Sequence, residues 1–88
     1  MKTAKQLERY FKGMSNRRRI DILILVSKNP GITLNRISEK LDCNFKTISE
    51  HTIKLVQAGL LNKNYKGTAV AHLLSPYGNK FLHFIKLF

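Results

Sequence analysis

From Ile20 to Val26 the chain reads Ile-Asp-Ile-Leu-Ile-Leu-Val, a stretch with almost no polar side. It lies in a helical pattern from about Arg17 to Ser27, which Ser15 or Asn16 can cap and Asn29-Pro30-Gly31 can end. A helix without a wet face must be covered on more than one side. The 88 residues suffice for one domain, residues 1–88, with a small core around that helix. A domain of this length buries only about 60% of its unfolded surface, so a partner subunit would add stability.

The flanking patterns supply the covering elements. Leu7, Tyr10, Phe11 and Met14 form an apolar stripe at i, i+3, i+4 and i+7, with Gly13 as the expected stop of a first helix. Ile32 can add a short strand. Thr33 then caps a third helix carrying Leu34, Ile37 and Leu41. Asp42-Cys43-Asn44 reads as a tight turn, and Asn44 caps a fourth helix from about Phe45 to Ala58 that stops at Gly59. Leu60 to Lys66 and Ala69 to Leu74 read as strands joined by Lys66-Gly67-Thr68. Ser75 caps and Pro76 starts a last helix, expected to reach the C-terminus.

The expected class is mainly α with a small antiparallel β-hairpin. The order is helix, helix, helix, recognition helix, β-wing, C-terminal helix, which is a winged helix-turn-helix. Residues 33–59 form the helix-turn-helix, 60–74 the wing, and 1–13 and 76–88 the expected dimerisation helices.

Charge points to the partner. Sixteen Lys and Arg face five Asp and Glu, a formal net charge of +11. Such an excess attracts polyanions. The longest apolar run, Ile22 to Val26, is far short of the ~20 residues that span a bilayer, so no membrane partner is expected. Met1-Lys2-Thr3-Ala4-Lys5 lacks the apolar stretch of a signal peptide. The single Cys43 suits a reducing, cytoplasmic setting, here beside the nucleoid, and at a turn it acts as a small apolar plug.

On the fourth helix, Ile48, Thr52 and Leu55 share one side, flanked by Phe45, Ser49 and Val56. Lys46, Thr47, Glu50, Lys54 and Gln57 lie opposite, with His51 and Ile53 at the borders. The expected recognition residues are Asn44, Lys46, Thr47, Glu50, His51 and Lys54. A lysine donates to guanine O6 or N7, a threonine meets a hydrogen-bond acceptor or a thymine methyl, and a glutamate accepts from cytosine N4. Lys54, a turn further on, suits a phosphate. The wing contributes Lys63, Tyr65, Lys66 and Gly67, and has no acid. Arg17, Arg18, Arg19 and Arg36 are candidates for the DNA backbone. Cations at a helix N-terminus oppose its dipole, so phosphate, or a carboxylate such as Asp21 or Glu8, should offset the first three. Each feature also has a bland counterpart: a solvated helix face, an edge hairpin protected by lysine, structural ion pairs.

From Met14 to about Phe81 the chain resembles the ArsR-type (arsenic-repressor-like) winged helix regulators. The resemblance rests on Ser15-Asn16-Arg17-Arg18-Arg19-Ile20, Thr33 to Leu41, and Thr47-Ile48-Ser49-Glu50-His51 followed by Leu55, Ala58, Gly59, Leu60 and Leu61. Leu74-Ser75-Pro76-Tyr77-Gly78 is similar to the start of the last helix in many winged helix regulators. The resemblance implies a homodimer on a palindromic operator, usually a repressor. Two positions depart from the pattern. Thr52 and Ile53 look exchanged, and Asp42 stands where the turn often has glycine.

No paired cysteines mark the third helix, and His83 has no companion carboxylate on the last, so no metal site and no cofactor are expected. The acids Glu8, Asp21, Glu39, Asp42 and Glu50 are scattered, which argues against an enzyme. Leu7, Tyr10, Phe11, Phe81, Leu82, Phe84, Ile85 and Phe88 carry more apolar surface than one small core absorbs, and are the expected seam of a homodimer. The expected partners are double-stranded DNA and a second copy, with any small-molecule effector unknown. The alternatives are a non-specific or architectural DNA-binding protein and a winged helix used for protein contacts. An RNA-binding sheet is disfavoured by the few aromatics.

Overall fold

The computed structural model describes residues 1–88 except the side chain of Lys66. The elements are α1 (Ala4–Met14), α2 (Arg17–Lys28), β1 (Ile32–Thr33), α3 (Leu34–Leu41), α4 (Phe45–Gln57), β2 (Leu61–Lys66), β3 (Ala69–Leu74) and α5 (Pro76–Ile85).

Side-chain caps set the helix starts. Thr3 and Gln6 form a reciprocal capping box at α1 that the apolar stripe gave no hint of. Asn16, rather than Ser15, caps α2: its Oδ1 accepts from the Arg18 N–H at 2.9 Å. Thr33 and Ser75 cap α3 and α5 as expected. Asp42 closes α3 in the left-handed region, at φ 48° and ψ 51°. Short polar residues tolerate that conformation better than most.

The apolar segment of α2 lies at the centre. Ile22, Leu23 and Val26 are buried, and Ile20, Ile24 and Leu25 pack partly buried against the same core. Ile37 of α3, Ile48 and Leu55 of α4, and Leu60 and Leu61 beyond it close around them. The hairpin is one part of a three-stranded antiparallel sheet ordered β1-β3-β2. β1 pairs Ile32 with His72 and Thr33 with Ala71, and β2 pairs Leu61 with Leu74 through to Lys66 with Ala69. His72 is buried at the centre strand, its Nδ1 3.1 Å from the Ile32 carbonyl oxygen.

Three expectations change. Gly13 does not stop α1, which runs on to Met14. It is buried where a Cβ would collide with the Cβ of Ala58, so its role is to let α1 approach the end of α4. Tyr10 and Leu82, expected on a dimer seam, are 5% and 9% exposed and belong to the core of this chain. The Tyr10 ring packs against those of Tyr77 and Phe81, with centroids 4.8 and 6.5 Å away. The last helix ends at Ile85, and Lys86 and Leu87 form a turn.

Candidate nucleic-acid interface

Helix α4 begins where Asn44 Oδ1 accepts from the backbone N–H groups of Lys46 and Thr47, at 2.8 and 3.3 Å. This bond occupies the oxygen of a side chain expected to meet DNA, so Asn44 acts first as a cap. Its inner face is locked: Ile48 and Leu55 are fully buried, and Thr52 is 1% exposed. The Thr52 hydroxyl donates to the Ile48 carbonyl at 2.8 Å, so a polar atom enters the core without being left unpartnered. With that face fixed, Lys46, Glu50, Lys54 and Gln57 are all exposed on the other, and Thr47 is half-buried beside them.

His51 stands at the border of that face. It is half-buried, and its Nδ1 accepts from the Arg19 Nε–H at 3.3 Å. Burial, and then the Arg19 guanidinium beside it, hold His51 below the usual histidine range, which favours the neutral ring that can accept this bond. Arg19 also donates to the carbonyls of Lys12 and Gly13 at 3.3 and 3.5 Å. These are the last carbonyls of α1, the negative end of its dipole. The cation at the start of α2 is thus offset within the chain by the end of the preceding helix rather than by Asp21 or Glu8. Arg17 is exposed and Arg18 half-buried. Arg36 forms an exposed ion pair with Glu39 at 3.1 Å, which shares its charge.

The wing lies beside the start of α4. Thr33, Asn35, Phe45, Lys63 and Thr68 line a groove of about 440 Å³ between α3, α4 and the hairpin. Lys63 and Tyr65 are exposed, Tyr65 at 71%, and Gly67 turns the hairpin at φ +62°. The Lys66 side chain, expected at the wing tip, lies outside the described residues. Burial is the main cause that holds buried His72 below the ordinary histidine range. Among the described residues no group of three or more His, Cys, Asp or Glu could hold a metal ion, and no helix is long and apolar enough to cross a membrane.

Two exposed apolar residues of α4, Phe45 at 49% and Ile53 at 41%, were not among the expected contacts. The inverted order of Thr52 and Ile53 was the available signal for the second. Ser75 was read only as a cap, yet it also donates from Oγ to the Gly59 carbonyl at 2.6 Å, joining the end of α4 to the start of α5.

A short helix followed by one with a locked inner face and a polar outer face, flanked by a β-hairpin, is a winged helix-turn-helix, the fold of DNA-binding transcription regulators. The chain belongs to the winged helix-turn-helix DNA-binding family, whose pattern matches residues 15–62. No curated protein matches the chain by sequence. Among solved structures it is similar to the homodimeric winged helix-turn-helix DNA-binding domain of Mb0332 from Mycobacterium bovis, a possible ArsR-family transcriptional regulator. The TM-score is 0.85 at 21% identity, over 94% of this chain and 77% of that one. Reduced HlyU from Vibrio cholerae gives 0.80 at 24% identity, over 93% and 85%. A MarR protein from Peptoclostridium difficile gives 0.77 at 20%, over 86% and 52%. Similarity at these identities is similarity of fold.

Proposed function

We propose that the chain is an ArsR-type regulator that binds a palindromic duplex site as a homodimer and represses transcription from it. The observation that carries this reading is the exposed polar face of α4, held outward by the buried Ile48, Thr52 and Leu55 and set beside an acid-free wing. Lys46, Thr47 and Glu50 then meet base edges in the major groove, while Lys54, Lys63 and Arg17 meet phosphate.

The dimer rests on what the core leaves uncovered. Leu7, Phe11 and Phe84 are 37%, 52% and 49% exposed, and with Tyr77, Lys80 and Phe81 they line an apolar groove on the outer side of α1 and α5. A second copy covering this face by a two-fold axis places two α4 helices at half-sites about 34 Å apart. The Mb0332 domain, similar in fold, is homodimeric, which supports self-association of this chain. In sedimentation analysis Phe84→Arg yields folded monomer where the parent chain is a dimer.

The test of specificity is a footprint. A protected palindrome is expected, bound at least about 10³-fold more tightly than random duplex at the same salt. The net charge of +11 favours a second reading, non-specific binding, which gives equal affinity for all duplexes with a steep salt dependence.

A further inference from the structure

Ile53 interrupts the polar face of α4. It is 41% exposed. At about 100° per residue it stands within about 60° of Lys46, Glu50 and Gln57, and all three of those are exposed. The residue before it, Thr52, occupies the buried position, 1% exposed. Exchanging the two would put hydrocarbon in the core and a hydroxyl in water, which is the ordinary arrangement. A lone exposed apolar side chain needs no explanation in general. This one sits on a helix whose phase is fixed by Ile48 and Leu55, both fully buried, so Ile53 cannot turn inward.

We propose that Ile53 reads the C5-methyl of a thymine in the major groove, making one T·A pair in each half-site a determinant of the bound sequence. The proposal rests on the duplex-reading role of α4 argued above. Of the four bases only thymine shows a methyl group in that groove; the other edges there present hydrogen-bond donors and acceptors. An isoleucine forms no hydrogen bond, so it gains only where it removes water from another apolar group, and it penalises any polar edge it covers. Lys46 and Glu50 beside it suit guanine and cytosine, so the face combines polar readers with one methyl reader. Removing one buried methyl weakens binding by about fourfold. Thr47, nearly two helical turns earlier on the other side of the face, also carries a methyl, and the test must separate the two.

The experiment uses the full chain and a pool of 30-base-pair duplexes with random centres. The most enriched duplex is remade with each thymine replaced in turn by uracil, which deletes the methyl and leaves the pairing edge intact. The expected result is one thymine per half-site at which uracil weakens the parent chain about fourfold, Thr47→Ser by the same factor, and Ile53→Ala by less than twofold. 5-Bromouracil at that position, with an atom the size of a methyl, restores the parent's affinity. Ile53 is exposed, so its replacement leaves the core untouched, and unchanged thermal unfolding of Ile53→Ala checks this. If a duplex is enriched but no thymine responds, or if Ile53→Ala keeps the full fourfold loss, the assignment of Ile53 is overturned and duplex reading stands. If no duplex is enriched over the starting pool, sequence reading by α4 fails and the assignment with it.

Discussion

Gly78 tests whether packing or helix propensity governs the corner between wing and last helix. It is buried in the first turn of α5, where a Cβ would collide with the carbonyl oxygen of Leu60, and the Leu74 Cβ lies 3.4 Å away. Alanine in place of helical glycine usually gains about 1 kcal/mol. Here the obstacle is backbone, and the same oxygen accepts from the Ser75 N–H at 3.1 Å, so it cannot step aside freely. Overpacking costs about 1–3 kcal/mol and a loosened Ser75 cap about 1, so the net loss for Gly78→Ala is about 1–3 kcal/mol. A chain of this length holds about 4–13 kcal/mol in total, so the loss should lower Tm by about 5–20 °C. Urea unfolding followed by circular dichroism, at one fixed protein concentration, reads it as a lower midpoint with unchanged slope. Asn79→Ala, exposed on the same helix, should move the midpoint little or slightly upward. A Gly78→Ala midpoint equal to or above the parent's would refute the close-approach argument.

Three further outcomes follow from the geometry. His51 and His72 are both held below the ordinary histidine value of about 6.5, so below that pH the unfolded chain takes up protons the folded one refuses. Stability present above pH 6.5 therefore declines as pH falls from there toward the lower folded values. His51→Gln should flatten part of the decline in urea midpoints between pH 7.5 and 5, and identical profiles would sink the idea. Thr52→Val should change stability by less than about 1 kcal/mol, since the hydroxyl and its bond to Ile48 disappear together; a loss above about 2 kcal/mol would mean the hydroxyl has a second role. In anisotropy titrations, Lys46→Ala should reduce discrimination among duplexes by about 1–3 kcal/mol, whereas Lys63→Ala should weaken all duplexes alike and reduce the salt slope by about 1. Matching behaviour of the two variants would contradict the division between base and phosphate contacts.

Helix limits were legible in the sequence because caps are local. Asn44, Thr33 and Ser75 act within three residues of themselves, and Asp42 takes the left-handed turn that its short side chain permits. The inner face of α4 was legible because Ile48, Thr52 and Leu55 keep a helical period whatever they pack on. Gly13 was misread because the same residue serves as a stop or as a point of close contact, and only the distant Ala58 decides which. Tyr10 and Phe11 are adjacent in one apolar stripe, yet Tyr10 is 5% exposed and Phe11 52%. Periodicity marks the stripe and leaves open which part of it turns inward. The charge of Arg19 was visible, but its partners were not, because they are backbone carbonyls and an imidazole brought near by folding. Ile53 was visible as an irregularity of order; its exposure required the phase of the whole helix.

Ser75 is shared by two parts of the molecule, the root of the hairpin and the start of α5. Its hydroxyl donates to the carbonyl of Gly59, at the foot of the hairpin, and accepts from the N–H of Gly78, inside α5. Its own N–H holds Leu60. Hairpin root and C-terminal helix are therefore joined through the hydrogen bonds of one small residue. Removing its hydroxyl, as in Ser75→Ala, therefore unties the hairpin root and the first turn of α5 in one step.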